Sequence, residues 1–167
     1  MNNENDYNRD EVRRIMEQAT LSMTGHPVQI HLRAPIVKAR IGQVFMDKDG
    51  RFAFDIKPDL SLEVFYETWL HETCHLHRGH CDDMLPRNIS PEIELAYSKT
   101  GPLLELTEAE EKEYQEDPRE VEAETEYHAL DHYLRGHAYD RFGNREILSR
   151  LRVAMDTQLT PIRRKDE

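Results

Sequence analysis

Residues 71–75 read His-Glu-Thr-Cys-His. Two histidines four positions apart, with a glutamate directly after the first, form the pattern H-E-x-x-H. Four residues make just over one helical turn. On a helix, His71 and His75 therefore project from one face, and each can offer a ring nitrogen to the same metal ion. Glu72 lies about 100° further round, close enough to reach a metal-bound water without being a ligand. Zinc lowers the pKa of such a water to about 7, and a neighbouring glutamate can take its proton during attack on a carbonyl. The motif thus supplies two metal ligands, His71 and His75, and one catalytic general base, Glu72. Two histidines and a carboxylate most often mean zinc in a hydrolase.

A catalytic zinc needs a third protein ligand and an open fourth position. Residues 119–127 contain four glutamates. At about 100° per residue, Ala123, Tyr127, Leu130 and Leu134 form the buried stripe of a helix; Glu120 lies about 50° from its centre and Glu122 about 110° away. Glu124 and Glu126 fall between them on opposite flanks. Glu120 is the carboxylate expected to face inward as the third ligand, and Glu124, one turn on, can orient a ligand histidine. Glu120 is also the fourth residue of a capping box opened by Asp117, so helix capping competes for its side chain. Glu124, His128 and His132 remain alternative third ligands. Tyr127, His128 and Tyr133 are further polar groups that could stabilise an oxyanion, although Tyr127 reads more simply as core. His77, His80 and Cys81 continue the His/Cys-rich run, but His77 points about 160° from the His71/His75 midline, which argues against a second metal site. Cys74 reads as a small buried hydrophobe.

The elements that must position these groups are legible from periodicity. Val12, Ile15, Met16, Ala19 and Met23 predict a helix over 10–24, ended by Gly25. Residues 28–32 alternate as a strand, a second strand is expected around 39–46, and Asp49-Gly50 marks a hairpin turn into a third over 51–56. From Ser61 the period becomes helical through Leu62, Phe65, Trp69, Leu70, Thr73 and Leu76, and that helix ends near Gly79. A loop over 80–90 leads to a short helix over 91–98. Thr107 to Glu110 is a capping box that opens an acidic helix. The helix after Asp117 is expected to reach about Phe142, and a last one to cover 145–156. The order predicts one α+β domain over 1–167, with a small antiparallel sheet packed against a mostly helical body.

The 167 residues suit one domain. The formal charge is -11, with 33 acidic residues against 22 basic. That field disfavours direct nucleic-acid binding, which needs a cationic surface. Arg163, Arg164 and Lys165 read as a solvated tail, and the acidic run 108–116 as a solvated face. No stretch is apolar enough to span a bilayer and the first residues lack a signal peptide's apolar core, so a cytoplasmic protein with no membrane partner is expected. Two cysteines suggest no disulfide framework.

Together these residues resemble the ImmA/IrrE family of zinc metallopeptidases, in which a strand and a short polar segment lead into a helix bearing H-E-x-x-H. A later helix of that family carries an E-x-E-A-like motif. The matching parts are the strand 52–56, the lead-in 65–70, the helix 71–77 and Glu120-Val121-Glu122-Ala123. The sequence departs from the family in having Glu124 and Glu126 where Asn or Asp and then Phe are usual, Cys74 where glycine is frequent, and a long acidic insertion. The resemblance implies a zincin-like domain, Zn2+ held by His71, His75 and Glu120, Glu72 as base, and a protein or peptide substrate. Relatives cleave transcriptional repressors, which makes a repressor-type regulatory protein the expected partner. The alternative function, from a different class, is a non-catalytic zinc-bound regulator that acts by binding a partner protein.

Overall fold

The computed structural model describes residues 7–46, 50–80, 91–135 and 149–153. Its elements run α1 (Arg9–Thr24), β1 (Val28–Leu32), β2 (Gly42–Met46), β3 (Phe52–Ile56), α2 (Leu62–His77), α3 (Pro91–Thr100), α4 (Glu108–Glu116) and α5 (Pro118–Arg135). Residues 149–153 are also helical, within the last helix expected from the sequence. The α+β class is as expected. Cys81, the expected helix end near Phe142 and the basic tail lie outside the described residues.

The sheet is mixed, which corrects the antiparallel expectation. Its order is β1-β3-β2. β2 and β3 pair antiparallel, with Val44 opposite Phe54, but β1 runs parallel to β3, with Ile30 opposite Phe54. The reason lies in the segment between β1 and β2. It does not turn back as a hairpin, and β3 fills the place beside β1. Ile36 and Val37 of that segment instead enter a second small core with Tyr97, Ile93, Leu103, Leu104 and Leu106, and Val37 forms a bridge with Leu104. The centre strand β3 is buried at four successive positions, Ala53 to Ile56. One of these is Asp55, fully enclosed. Its carboxylate accepts from Arg33 Nε at 2.7 Å, from Gln43 Nε2 at 2.6 Å and from the Tyr97 hydroxyl at 2.7 Å. These bonds satisfy a charge that would otherwise be costly to bury, and they tie α3 to the sheet.

α2 runs through the middle of the domain. Ser61 caps its first turn by accepting from Val64 N. Eleven of its residues are buried, among them Leu62, Phe65, Trp69 and Leu70. They pack against α1 and the sheet, where Met16, Ile30, Val44 and Phe54 are also buried. Burial of each such aliphatic or phenyl side chain contributes about 1.5–3 kcal/mol. Two polar groups inside are paired through Thr20: Trp69 Nε1 donates to Thr20 Oγ1 at 2.8 Å, and Thr20 Oγ1 lies 3.2 Å from Thr73 Oγ1. With one face committed to this core, the face bearing His71 and His75 turns towards α5. There Ala123, Leu130 and Leu134 are buried, as the helical stripe predicts.

α2 ends in a Schellman turn. Gly79 takes φ 75° and donates to Leu76 O, while His80 N donates to His75 O. The turn folds His80 back over the last turn of the helix. α4 has the expected capping box in both directions. It buries none of its residues, as a solvated acidic face should, and Arg40 holds it to the body through Glu111 at 2.9 Å.

Candidate metal centre

Two helices build the centre. α2 presents His71 and His75 one turn apart, and α5 crosses them with Glu120. His71 Nε2 lies 2.9 Å from Glu120 Oε1, His75 Nε2 lies 3.1 Å from Glu120 Oε2, and the two Nε2 atoms are 3.1 Å apart. These three residues form the one cluster able to hold a metal ion among the described residues. The capping role that competes for Glu120 is relieved locally, because Asp117 N donates to Tyr114 O. The Asp117 carboxylate accepts from Arg119 N at 2.9 Å and from its guanidinium.

The donor set fits a cation. A tetrahedral ion with bonds of about 2.0–2.1 Å spaces its donors by about 3.3–3.4 Å, so the three side chains need to spread by only a few tenths of an ångström. Glu120 Oε2 is buried, and the ring nitrogen nearest it is His75 Nε2 at 3.1 Å, so both oxygens of the carboxylate face the two imidazoles. In the protein alone a proton serves this role. Burial favours the neutral ring of His71, but the Glu120 hydrogen bond and the charges of Glu72, Glu120 and Glu124 outweigh it and hold His71 at about 9. Burial opposes ionisation of Glu120 in turn, yet its bonds to His71 and His75 keep its carboxyl well below the usual range.

The outer nitrogens of both histidines are also held. His71 Nδ1 lies 3.4 Å from Glu124 Oε2, the orienting position anticipated for Glu124. His75 Nδ1 lies 3.2 Å from His80 Nδ1, and His80 Nε2 lies 3.3 Å from Glu122 Oε2. Of the alternative ligands, Glu124 faces the outer nitrogen of His71, and the two histidines stand elsewhere. His128 is exposed and pairs with the other oxygen of Glu124 at 3.1 Å, and His132 is exposed. His77 points away and pairs with Glu126, which also binds Arg78. Cys74 is fully buried as expected, and burial, with Glu126 next, pushes its thiol up.

Glu72 is buried on the wall of a cleft of about 330 Å³ that also exposes His71, Glu120 and Glu124. Burial raises the pKa of its carboxyl, with the two histidines opposing. Such a group holds and releases a proton nearer neutrality than an exposed glutamate. Sequence reasoning missed Arg40, Gly42, Thr68 and Tyr114 of this wall. Gly42 opens β2 so close to α2 that a Cβ there would stand 3.3 Å from Glu72 Oε1 and 2.4 Å from Thr68 Cγ2. The Thr68 hydroxyl donates to Val64 O, which fixes its methyl. Tyr114 is the one aromatic in the acidic run, which was the available signal for it. It lies under the Arg40 guanidinium at 3.9 Å. Burial, with Glu72 and Glu120 nearby, keeps its hydroxyl protonated and hence a donor. Tyr127 is partly buried against the core, and its ring stands 6.3 Å from that of His71. No helix among the described residues is long and apolar enough to cross a membrane.

No family model, curated protein or solved structure matches the chain.

Proposed function

We propose that the protein is a zinc-dependent peptidase, with zinc held by His71, His75 and Glu120 and with Glu72 as general base. One observation carries this reading: the two Nε2 atoms and the Glu120 carboxylate converge beside a cleft whose wall holds a buried carboxylate, Glu72. Zinc bound there would polarise a water molecule and the carbonyl of the bond to be cut. The residues of the chain then divide the remaining work. Glu72 accepts the water's proton and passes it to the leaving amine. Glu124 keeps the His71 ring in place. Tyr114 and Arg40 bring donors to the same cleft. A peptide substrate suits the surroundings because β2 pairs on one side only within the described sheet. Its first residue, Gly42, lines the cleft with Ile41. An extended chain laid along that edge would gain backbone hydrogen bonds. The substrate class proposed is a repressor-type regulatory protein.

The test compares wild type, Glu72→Gln and Glu120→Ala. Zinc content is read by elemental mass spectrometry, and cleavage of a proteome-derived peptide mixture by peptide mass spectrometry. The expected result is one zinc per chain in wild type and in Glu72→Gln, little in Glu120→Ala, and cleavage in wild type only. A wild-type protein that takes up no zinc when it is supplied overturns the reading. So does Glu72→Gln cleaving as fast as wild type. Zinc retained by both proteins with no cleavage by either favours a regulator that binds its partner without cutting it.

A further inference from the structure

We propose that His80 and Glu122 form a proton-ordered relay that orients His75 for metal binding. His80 is thus a positioning residue rather than a stray member of the His-rich run. The inference rests on the metal site proposed above. His80 is buried, although it follows the last turn of α2. The Schellman turn at Gly79 places it there, and its backbone N–H donates to the carbonyl of His75 itself at 2.9 Å. In Schellman turns an apolar contact frequently joins these positions. Here they are joined by two ring nitrogens 3.2 Å apart.

Proton counting fixes the direction of the chain. A neutral imidazole carries one N–H and one lone pair. Metal binding through His75 Nε2 requires that lone pair at Nε2, so the proton sits on Nδ1 and must be donated. The neighbour facing Nδ1 is His80 Nδ1, which must therefore accept. His80 then carries its own proton on Nε2, and 3.3 Å from Nε2 lies Glu122 Oε2, a carboxylate oxygen that can only accept. Each nitrogen has one role and none conflicts. His71 has a shorter version of the same support, with Glu124 Oε2 directly beside its Nδ1. The alternating glutamates of α5 are thus divided between the ion and its two rings: Glu120 to the ion, Glu124 to His71, and Glu122, through His80, to His75.

The experiment measures zinc affinity of the full chain by chelator competition in wild type, His80→Ala, His80→Asn and Glu122→Gln. Thermal midpoints of the zinc-free proteins and the absorption spectra of their cobalt-substituted forms are read alongside. Partners of this kind are typically worth about 10- to 100-fold in metal affinity. His80→Ala is expected to lose affinity in that range and to change the cobalt spectrum. His80→Asn, whose amide oxygen can accept near the place of Nδ1, is expected to recover most of it. Glu122 is more than half exposed, so Glu122→Gln tests the outer link without disturbing the core and is expected to weaken binding several-fold. Zinc affinity in His80→Ala equal to wild type overturns the relay while leaving the metal site standing. Equal losses in His80→Ala and His80→Asn overturn it too, since shape rather than an accepted hydrogen bond would then matter. A wild type that binds no zinc overturns the metal site, and the relay with it.

Discussion

The packing of β2 on α2 at Gly42 leaves no room for a side chain there. Gly42→Ala places a methyl carbon 2.4 Å from Thr68 Cγ2, about 1 Å inside ordinary contact. Thr68 cannot turn the methyl aside freely, because its hydroxyl is bonded to Val64 O at 2.7 Å and the residue is buried. Overpacking of this kind costs about 1–3 kcal/mol. The loss of unfolded-state freedom on replacing glycine returns about 0.4–1 kcal/mol of it, which leaves a destabilisation of about 1–2 kcal/mol. For a chain of this size that lowers the melting midpoint by about 2–8 °C. Thr68→Ser removes the opposing methyl and keeps the hydroxyl. Alone it should cost about 1 kcal/mol for the lost buried methyl. Combined with Gly42→Ala it should return stability close to wild type, a coupling of about 2–3 kcal/mol in the double-mutant cycle. Denaturant unfolding of all four proteins, with chelator present so that no metal contributes, measures it. Effects that add to within about 0.5 kcal/mol would refute the reasoning, because the two side chains would then not share the space. The same methyl stands 3.3 Å from Glu72 Oε1, so any peptidase activity should fall in Gly42→Ala with or without Thr68→Ser.

Further expectations concern pH and the second core. His71 has a folded pKa of about 9 against an ordinary 6.5. Its contribution to stability is therefore complete below pH 6.5 and lost as pH rises through 9, so melting midpoints of the metal-free protein should fall across that window. Zinc must displace the same proton, and its apparent affinity should rise about tenfold per pH unit up to about pH 9, as read by chelator competition. Tyr97→Phe removes a hydroxyl 2.7 Å from Asp55 Oδ2 and 2.8 Å from Ala34 O. It should cost about 1–3 kcal/mol in thermal unfolding and leave zinc affinity unchanged. Ala39 adopts φ 70°, a left-handed backbone that side chains disfavour. Ala39→Gly should raise stability by up to about 1 kcal/mol, seen as a higher denaturant midpoint.

The convergence of ligands was legible because helical period fixes direction. Four residues from His71 return to the same face, and Glu120 lies nearer than Glu122 to the apolar stripe that must pack on α2. The orienting place of Glu124 followed from the same turn count. Strand pairing was not legible in the same way. Alternation marks which residues face the core, but it does not say which strand lies next to which, and the β1–β3 pairing depends on Ile36 and Val37 finding a separate core far along the chain. His80 was hidden for a related reason. Gly79 signalled the end of a helix, while the partner of His80 is set by the three-dimensional path of a Schellman turn. Gly42 and Thr68 carry no pattern at all, since their closeness exists only once a strand lies on a helix.

The centre joins two residues 49 positions apart, His71 and Glu120. An ion held by both would turn the intervening chain, with α3 and α4 in it, into a closed ring. In the unfolded chain such a ring removes conformations much as a disulfide does, and long rings remove more. An ion present at a thousand times its dissociation constant would add about 4 kcal/mol to stability. The acidic helix α4, held to the body by Arg40 through Glu111 and Tyr114, would be steadied further by that ring. Metal supply would then govern how long the molecule survives proteolysis as well as whether its cleft is armed.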